Sequence, residues 1–106
     1  MDIRPDYIGL ALARMGDMLG AKGEDYSRGS EDPFVNFKET GAITGMPPES
    51  IALVQCGIKM SRIMHLEMDR HDPVNESTTD SYLDLACYAA LAYAMHIEKM
   101  EGNYER

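Results

Sequence analysis

What this sequence lacks narrows it first. It has no run of about 18 apolar residues, the length a membrane-spanning helix needs. No charged start followed by an apolar run marks a secretion signal. The expected setting is the cytoplasm, with no membrane partner. Cysteine is scarce, with only Cys56 and Cys87. Both fall inside predicted helices, and without a secretion signal they read as reduced core thiols instead of a disulfide. Positive charge is also short, since 10 Lys+Arg against 18 Asp+Glu give a formal net charge of −8. No Lys/Arg cluster offers a footprint for a nucleic-acid backbone, although a local cationic pocket for one small anion stays compatible with that balance. Internal repeats, low-complexity tracts and strand-length alternation are missing as well.

What is present is one domain's worth of chain, 106 residues with 44% hydrophobic and 26% charged content. Those values are ordinary for a globular domain spanning 1–106. Helical periods dominate. Pro5 fits a first turn, with Asp2 as a candidate cap, and Ile8, Leu12, Met15 and Leu19 recur at helical spacing. The spacing predicts a helix from about 4 to about 22, stopped by Gly23. Residues 23–32 read as loop. Asp32-Pro33 opens a short helix that Gly41 ends, and 42–46 connect. Met46-Pro47-Pro48 opens a helix of about 48–70, because proline is tolerated there and not later. Its two apolar stripes, Ile51–Val54–Ile58 and Leu53–Cys56–Met60–Met64, predict a central, largely buried helix. His71-Asp72-Pro73 breaks the chain. The last helix is expected from about 77 to about 101, with Gly102 as its stop and a frayed NYER tail. The fold class is all-α, a compact bundle of three long helices and one short one.

The most informative stretch opens the last helix, NESTTDSYLDLACYAALAYA. Ser77 followed by Asp80 is a capping-box-like start. Glu76, Asp80 and Asp84 are spaced i, i+4, i+8 and share one face where helical. That face continues into Cys87, Tyr88, Leu91 and Met95, so the carboxylates extend an apolar stripe. A carboxylate aimed at a core is costly unless a cation, a metal or hydrogen-bond donors compensate it.

The preceding helix supplies compensation. Arg62, His65 and Asp69 prolong its Ile51–Val54–Ile58 stripe, with Lys59 at the margin. Helices joined by a short connection are usually antiparallel neighbours, which sets Lys59, Arg62 and His65 against Glu76, Asp80 and Asp84. Two readings follow. One is a structural ion-pair network that locks two helices. The other is a polar pocket where Glu76, Asp80 and Asp84 hold Mg²⁺ and lysine and arginine take phosphate oxygens. Lys22-Gly23-Glu24-Asp25-Tyr26 could close over a ligand or simply cap a helix. Asn36 and Phe37 could read a base, or Phe34 and Phe37 could anchor the short helix on the core. The Ala-rich last helix and the small size are compatible with a homo-oligomer.

Several of these stretches occur together. They are Lys22-Gly23-Glu24-Asp25-Tyr26, Asn36-Phe37, Lys59-Met60-Ser61-Arg62, Asn75-Glu76-Ser77, and Asp80 through Asp84-Leu85-Ala86-Cys87-Tyr88-Ala89. In this order and spacing the chain resembles the nucleotide-modification-associated domain 1 family of phages and bacteria, over about residues 18–95. That family in turn looks akin to the all-α NTP pyrophosphatases of the MazG and dimeric dUTPase type. The resemblance implies a helical, oligomeric, nucleotide-handling protein of a kind that a phage could encode. It implies Lys22, Asp25, Asn36, Lys59, Arg62, Glu76, Asp80 and Asp84 as site residues. MazG-type enzymes hold Mg²⁺ with an ExxE pair on one helix and an ExxD pair on the next. Here the earlier helix carries Lys59, Arg62 and His65 instead, which shifts weight to direct cation–phosphate contacts. Two functions are therefore expected side by side. One is a Mg-dependent nucleotide pyrophosphohydrolase with Asp80 and Asp84 as catalytic acids. The other is a non-catalytic nucleotide binder or sequestering protein using Lys22, Asp25, Tyr26, Asn36, Phe37, Lys59 and Arg62.

Overall fold

The computed structural model of the protein describes residues 4–69 and 77–104. Among the described residues four helices follow in order: α1 (Tyr7–Ser27), α2 (Val35–Thr44), α3 (Pro48–Asp69) and α4 (Thr78–Tyr104). The all-α helical bundle is as expected, and among the described residues three helices are long and one is short. Among the described residues no helix is long and apolar enough to cross a membrane.

Local chemistry sets most helix ends. At the start of α1 the Asp6 carboxylate accepts the Gly9 N–H at 2.9 Å, an N-cap bond that satisfies an otherwise orphaned donor. Asp6 therefore does the work expected of Asp2, which lies outside the described residues. At the other end α1 runs through Gly23 and stops only at Ser27. The chain turns out at Arg28 and Gly29, both left-handed with φ of 50° and 78°. A glycine inside a helix costs only about 1 kcal/mol. Tyr26, packed on the core one turn beyond Gly23, outweighs it. The segment 22–26 is thus helix and not a ligand-closing loop.

Asp32 shapes the entry to α2, its carboxylate accepting the Phe34 N–H at 2.9 Å, so that Pro33 sits in a turn before the helix. α2 passes Gly41 and ends at Thr44, where Gly45 takes the left-handed conformation and the Met46 N–H returns to the Gly41 carbonyl at 3.0 Å. The turn expected at Gly41 is displaced to Gly45. Gly41 instead serves close approach, because a Cβ there would lie 2.6 Å from the Met46 carbonyl oxygen. At α4 the Ser77 hydroxyl oxygen accepts the Asp80 N–H at 3.0 Å, the cap that the sequence announced. Gly102 does not stop α4, which continues to Tyr104. The 71–73 break lies outside the described residues.

α3 and α4 form the most extensive helix pair. They are antiparallel, since Lys99 reaches Glu49 at 3.2 Å near one end and Lys59 reaches Asp84 at 3.0 Å further along. α2 packs on α3, and α1 packs on α4 and α2. Among the described residues α1 and α3 do not pack on each other. The core gathers at one end of the pair. Phe34 and Phe37 meet Ala52, Ala92 and Met95, with Tyr26, Ile51, Tyr88, Leu91 and Ala94 packed around them.

One expectation fails in an instructive way. α3 is not buried on two sides. Its inner line is Ala52, Cys56 and Ile63, while Leu53, Val54, Ile58, Met60 and Met64 are each about half exposed or more. On that line the small Ala52 packs with Ala92 and Met95 of α4, while most of the large aliphatics stay outside. Close approach of two helices favours small side chains at the contact, which leaves the bulky ones outside.

Candidate functional site

The end of α1, the middle of α3 and the first turns of α4 converge on Asp84. Asp84 lies on the inward line of α4 that runs Ser81, Asp84, Tyr88, Ala92, Met95, and its side chain is only 13% exposed. A carboxylate so placed needs compensation. The Lys59 ammonium contacts one carboxylate oxygen at 3.0 Å, and that of Lys22 faces the other at 3.9 Å. Lys59 is itself nearly buried, whereas Lys22 is 42% exposed. The first contact is a hydrogen-bonded ion pair. The second is too long for a hydrogen bond and leaves Lys22 able to turn to another anion.

A phenol pair adjoins this cluster. Tyr26 and Tyr88 pack against the same core, and the Tyr26 phenol is held above its ordinary value. Burial is the main cause, followed by Tyr88, with the Asp84 charge adding to it. The Tyr26 ring tilts at 48° against Phe37, with centroids 5.0 Å apart. Cys87, one turn from Asp84, is buried and directs its thiol towards the Met15 carbonyl at 3.9 Å. Burial raises the Cys87 thiol, and the Asp84 charge raises it further. Cys56 is also buried and raised by burial. Both are free thiols, and neither is poised as a nucleophile.

The other sequence-derived residues fall in different places. Arg62 is half buried one turn beyond Lys59 on α3, and His65 is exposed. Asp80 is exposed, so the inward turn holds for Asp84 and not for Asp80. The reason is registry: Ser81, fully buried, takes the inward line one turn before Asp84. Asp25 is exposed on the last turns of α1. Asn36 is half buried, and its side-chain oxygen accepts a hydrogen bond from Arg28 at 2.6 Å. Phe37 is 2% exposed and belongs to the core, with no ring face open to a base. Glu76 lies outside the described residues.

Sequence reasoning missed Tyr88 as the partner of Tyr26, although its position one turn after Asp84 on the same face was the available signal. It also missed Arg28, which holds Glu39 as well as Asn36 and ties the α1–α2 turn to α2. A second cationic bridge, Lys38 between Asp32 at 2.6 Å and Glu98 at 2.8 Å, fastens α2 to α4.

Among the described residues no three carboxylate, histidine or cysteine side chains gather closely enough to hold a metal ion. Asp84 already has a lysine at each oxygen. Among the described residues, Lys22 and Lys59 bring cations from two helices onto the Asp84 carboxylate. Comparison with known protein families, with curated proteins and with solved structures found no match.

Proposed function

We propose that the protein handles a nucleotide, taking its phosphate group at the Lys22–Asp84–Lys59 junction. The observation that carries this reading is a partly buried carboxylate shared by two lysines, one of them loosely held and solvent-accessible. A phosphate oxygen competes with Asp84 for those ammonium groups, and a lysine ammonium offers three donors. Arg62 lies one turn beyond Lys59 on α3 and is half buried. The likeness to the nucleotide-modification-associated domain 1 family points to the same ligand class. A homo-oligomer is part of the proposal.

Two versions of the function differ in chemistry. In the hydrolytic version the nucleotide arrives with Mg²⁺, and Asp84, Asp80 and Glu76 are the acids available to it. The metal would neutralise phosphate charge and lower the pKa of a bound water. In the binding version the lysines and Arg62 hold the phosphates directly and no bond is broken. The paired state of Asp84 favours the binding version.

Calorimetry against mono-, tri- and cyclic nucleotides, with Mg²⁺ and with EDTA, separates them. The expected result is binding that survives EDTA and falls at least tenfold in Lys59→Met. Binding abolished by EDTA, together with pyrophosphate release from (d)NTPs that Asp84→Ala lacks, establishes the hydrolytic version. No binding to any nucleotide under either condition removes the proposal and leaves the cluster as a helix-locking ion pair.

A further inference from the structure

A cleft on the far side of α4 from Asp84 carries chemistry that the candidate site does not use. It opens where the first half of α1 meets the start of α4, with a volume of about 200 Å³. Ala11 and Met15 of α1 and Leu83 and Ala86 of α4 give it an apolar lining. Arg14 and Tyr82, both exposed, stand at its edge. At about 100° per residue, Tyr82, Leu83 and Ala86 lie roughly half a turn round α4 from Ser81, Asp84 and Tyr88. The cleft and the lysine junction are therefore separate places.

The polar groups at this edge are uncommitted. Lys22, Arg28, Lys38, Lys59 and Lys99 each meet a carboxylate. Among the described residues Arg14 meets none, although Asp17 lies three residues on along the same helix, and the Tyr82 hydroxyl has no hydrogen-bond partner. A long arginine stem often covers apolar surface with its head in water, which would explain Arg14 by itself. It does not explain the open space between the helices beside it. The early turns of α1 are also thinly packed, with Ile8 77% exposed and Leu12 62%. A guest in the cleft would supply apolar contact that α1 lacks there.

We infer that this cleft binds a small organic acid, a monocarboxylate on a short apolar or aromatic body. Size sets the body. Drug-sized sites measure about 300–1,000 Å³, so the occupant here is smaller, on the order of one ring. Charge sets the head. A guanidinium presents a planar fork of donors that matches a carboxylate through two parallel hydrogen bonds. One arginine balances one negative charge. A phosphate group, at about −2, would leave charge uncompensated in a chain whose net charge is already −8. The Tyr82 hydroxyl offers another donor at the same edge. Its ring and the Met15 thioether offer flat and polarisable surface to an aromatic body. The inference stands apart from the nucleotide reading, because the two share no residue.

Benzoate titrated into the purified chain, followed by the NMR shifts of the backbone amides, tests it. A ligand this small is expected to bind with a Kd of about 1 mM, with the largest shifts at 11–15 and 82–86. Benzyl alcohol, a similar ring without the charge, is expected to bind about tenfold more weakly. Arg14→Met keeps most of the stem and removes the charge. It is expected to weaken benzoate about tenfold and to leave benzyl alcohol as it was. Ala11→Leu fills the cleft from the exposed side of α1 and is expected to weaken both ligands. Circular dichroism checks that each variant folds, and the comparison of benzoate with benzyl alcohol needs no variant. No saturable shift at 11–15 and 82–86 overturns the inference, as does benzoate binding that Arg14→Met leaves unchanged. Equal affinity for benzyl alcohol overturns it too, since the cleft would then select for apolar bulk alone. Shifts confined to 18–26 and 59–62 also overturn it, because the acid would then sit on the lysine junction.

Discussion

Gly41 shows how one residue can be right for a reason other than the obvious one. Glycine near a helix end usually supplies a left-handed turn, and Gly45 does that here. Gly41 sits one turn earlier, buried, with the Met46 carbonyl oxygen 2.6 Å from where a Cβ would be. That oxygen is backbone and cannot swing aside. Gly41→Ala is expected to destabilise by about 1–3 kcal/mol, the usual cost of overpacking. Gly45→Ala loses only the left-handed preference, a penalty of about 1 kcal/mol. Urea denaturation of both variants checks the order, and equal losses would mean that the α2–α3 turn relaxes freely. The same contrast explains what was legible in the candidate site. Lys59 opposite Asp84 followed from spacing on two antiparallel helices. Phe37 did not, because an aromatic at a short helix looks the same in sequence whether it faces the core or a ligand. Asp80 and Asp84, one turn apart, differ in exposure because Ser81 takes the inward line, a rotation that no i, i+4 count reveals.

At the scale of elements, number and type were readable while ends were not. Caps made of side chains announced themselves, as with Ser77 before α4. Stops inferred from glycine at 23, 41 and 102 were each overrun, since glycine costs a helix only about 1 kcal/mol, which a tertiary contact is enough to outweigh. Tyr26 on Phe37 extends α1 in this way. α2 is held by charge as well as by its two phenylalanines. Lys38 bridges Asp32 and Glu98, and the Asp32 carboxyl is held below its ordinary 3.8, chiefly by the Lys38 hydrogen bond and then by the Phe34 N–H. A carboxyl lowered in the folded state adds stability above pH 3.8 that is lost as pH falls through the lower folded value. The carboxylate is about a third exposed and its Lys38 partner more so, so the contribution stays below about 1 kcal/mol. Asp32→Asn keeps an acceptor for the Phe34 N–H and removes the charge. Its melting temperature is expected to lie slightly below wild type from pH 5 to 7, and the gap is expected to close below pH 3.8. A gap that persists into acid would assign the loss to the turn and not to the ion pair.

Across the whole molecule, packing is uneven, and stability should follow it. The tight cluster of Phe34, Phe37, Ala52, Ala92 and Met95 joins α2, the start of α3 and the second half of α4. The first half of α1 has little to lean on: Tyr7 is 61% exposed, Ile8 77% and Leu12 62%. α1 touches α4 and α2 but not α3, so its early turns rest on one neighbour. Local opening costs least where few apolar contacts must break. Amide hydrogen exchange is therefore expected to be slowest around 51–56 and 88–95, and to approach the rate of an open helix over 10–15. The candidate site lies between these regimes, because Asp84 and Lys59 sit on the well-packed α3–α4 pair while Lys22 comes from α1. A phosphate ligand that recruits Lys22 would tie α1 to that pair, so added nucleotide is expected to slow exchange over 18–26 without changing 51–56. Protection that rises uniformly along the chain would mean that the ligand stabilises the fold as a whole, and α1 would then have no separate part in closing the site.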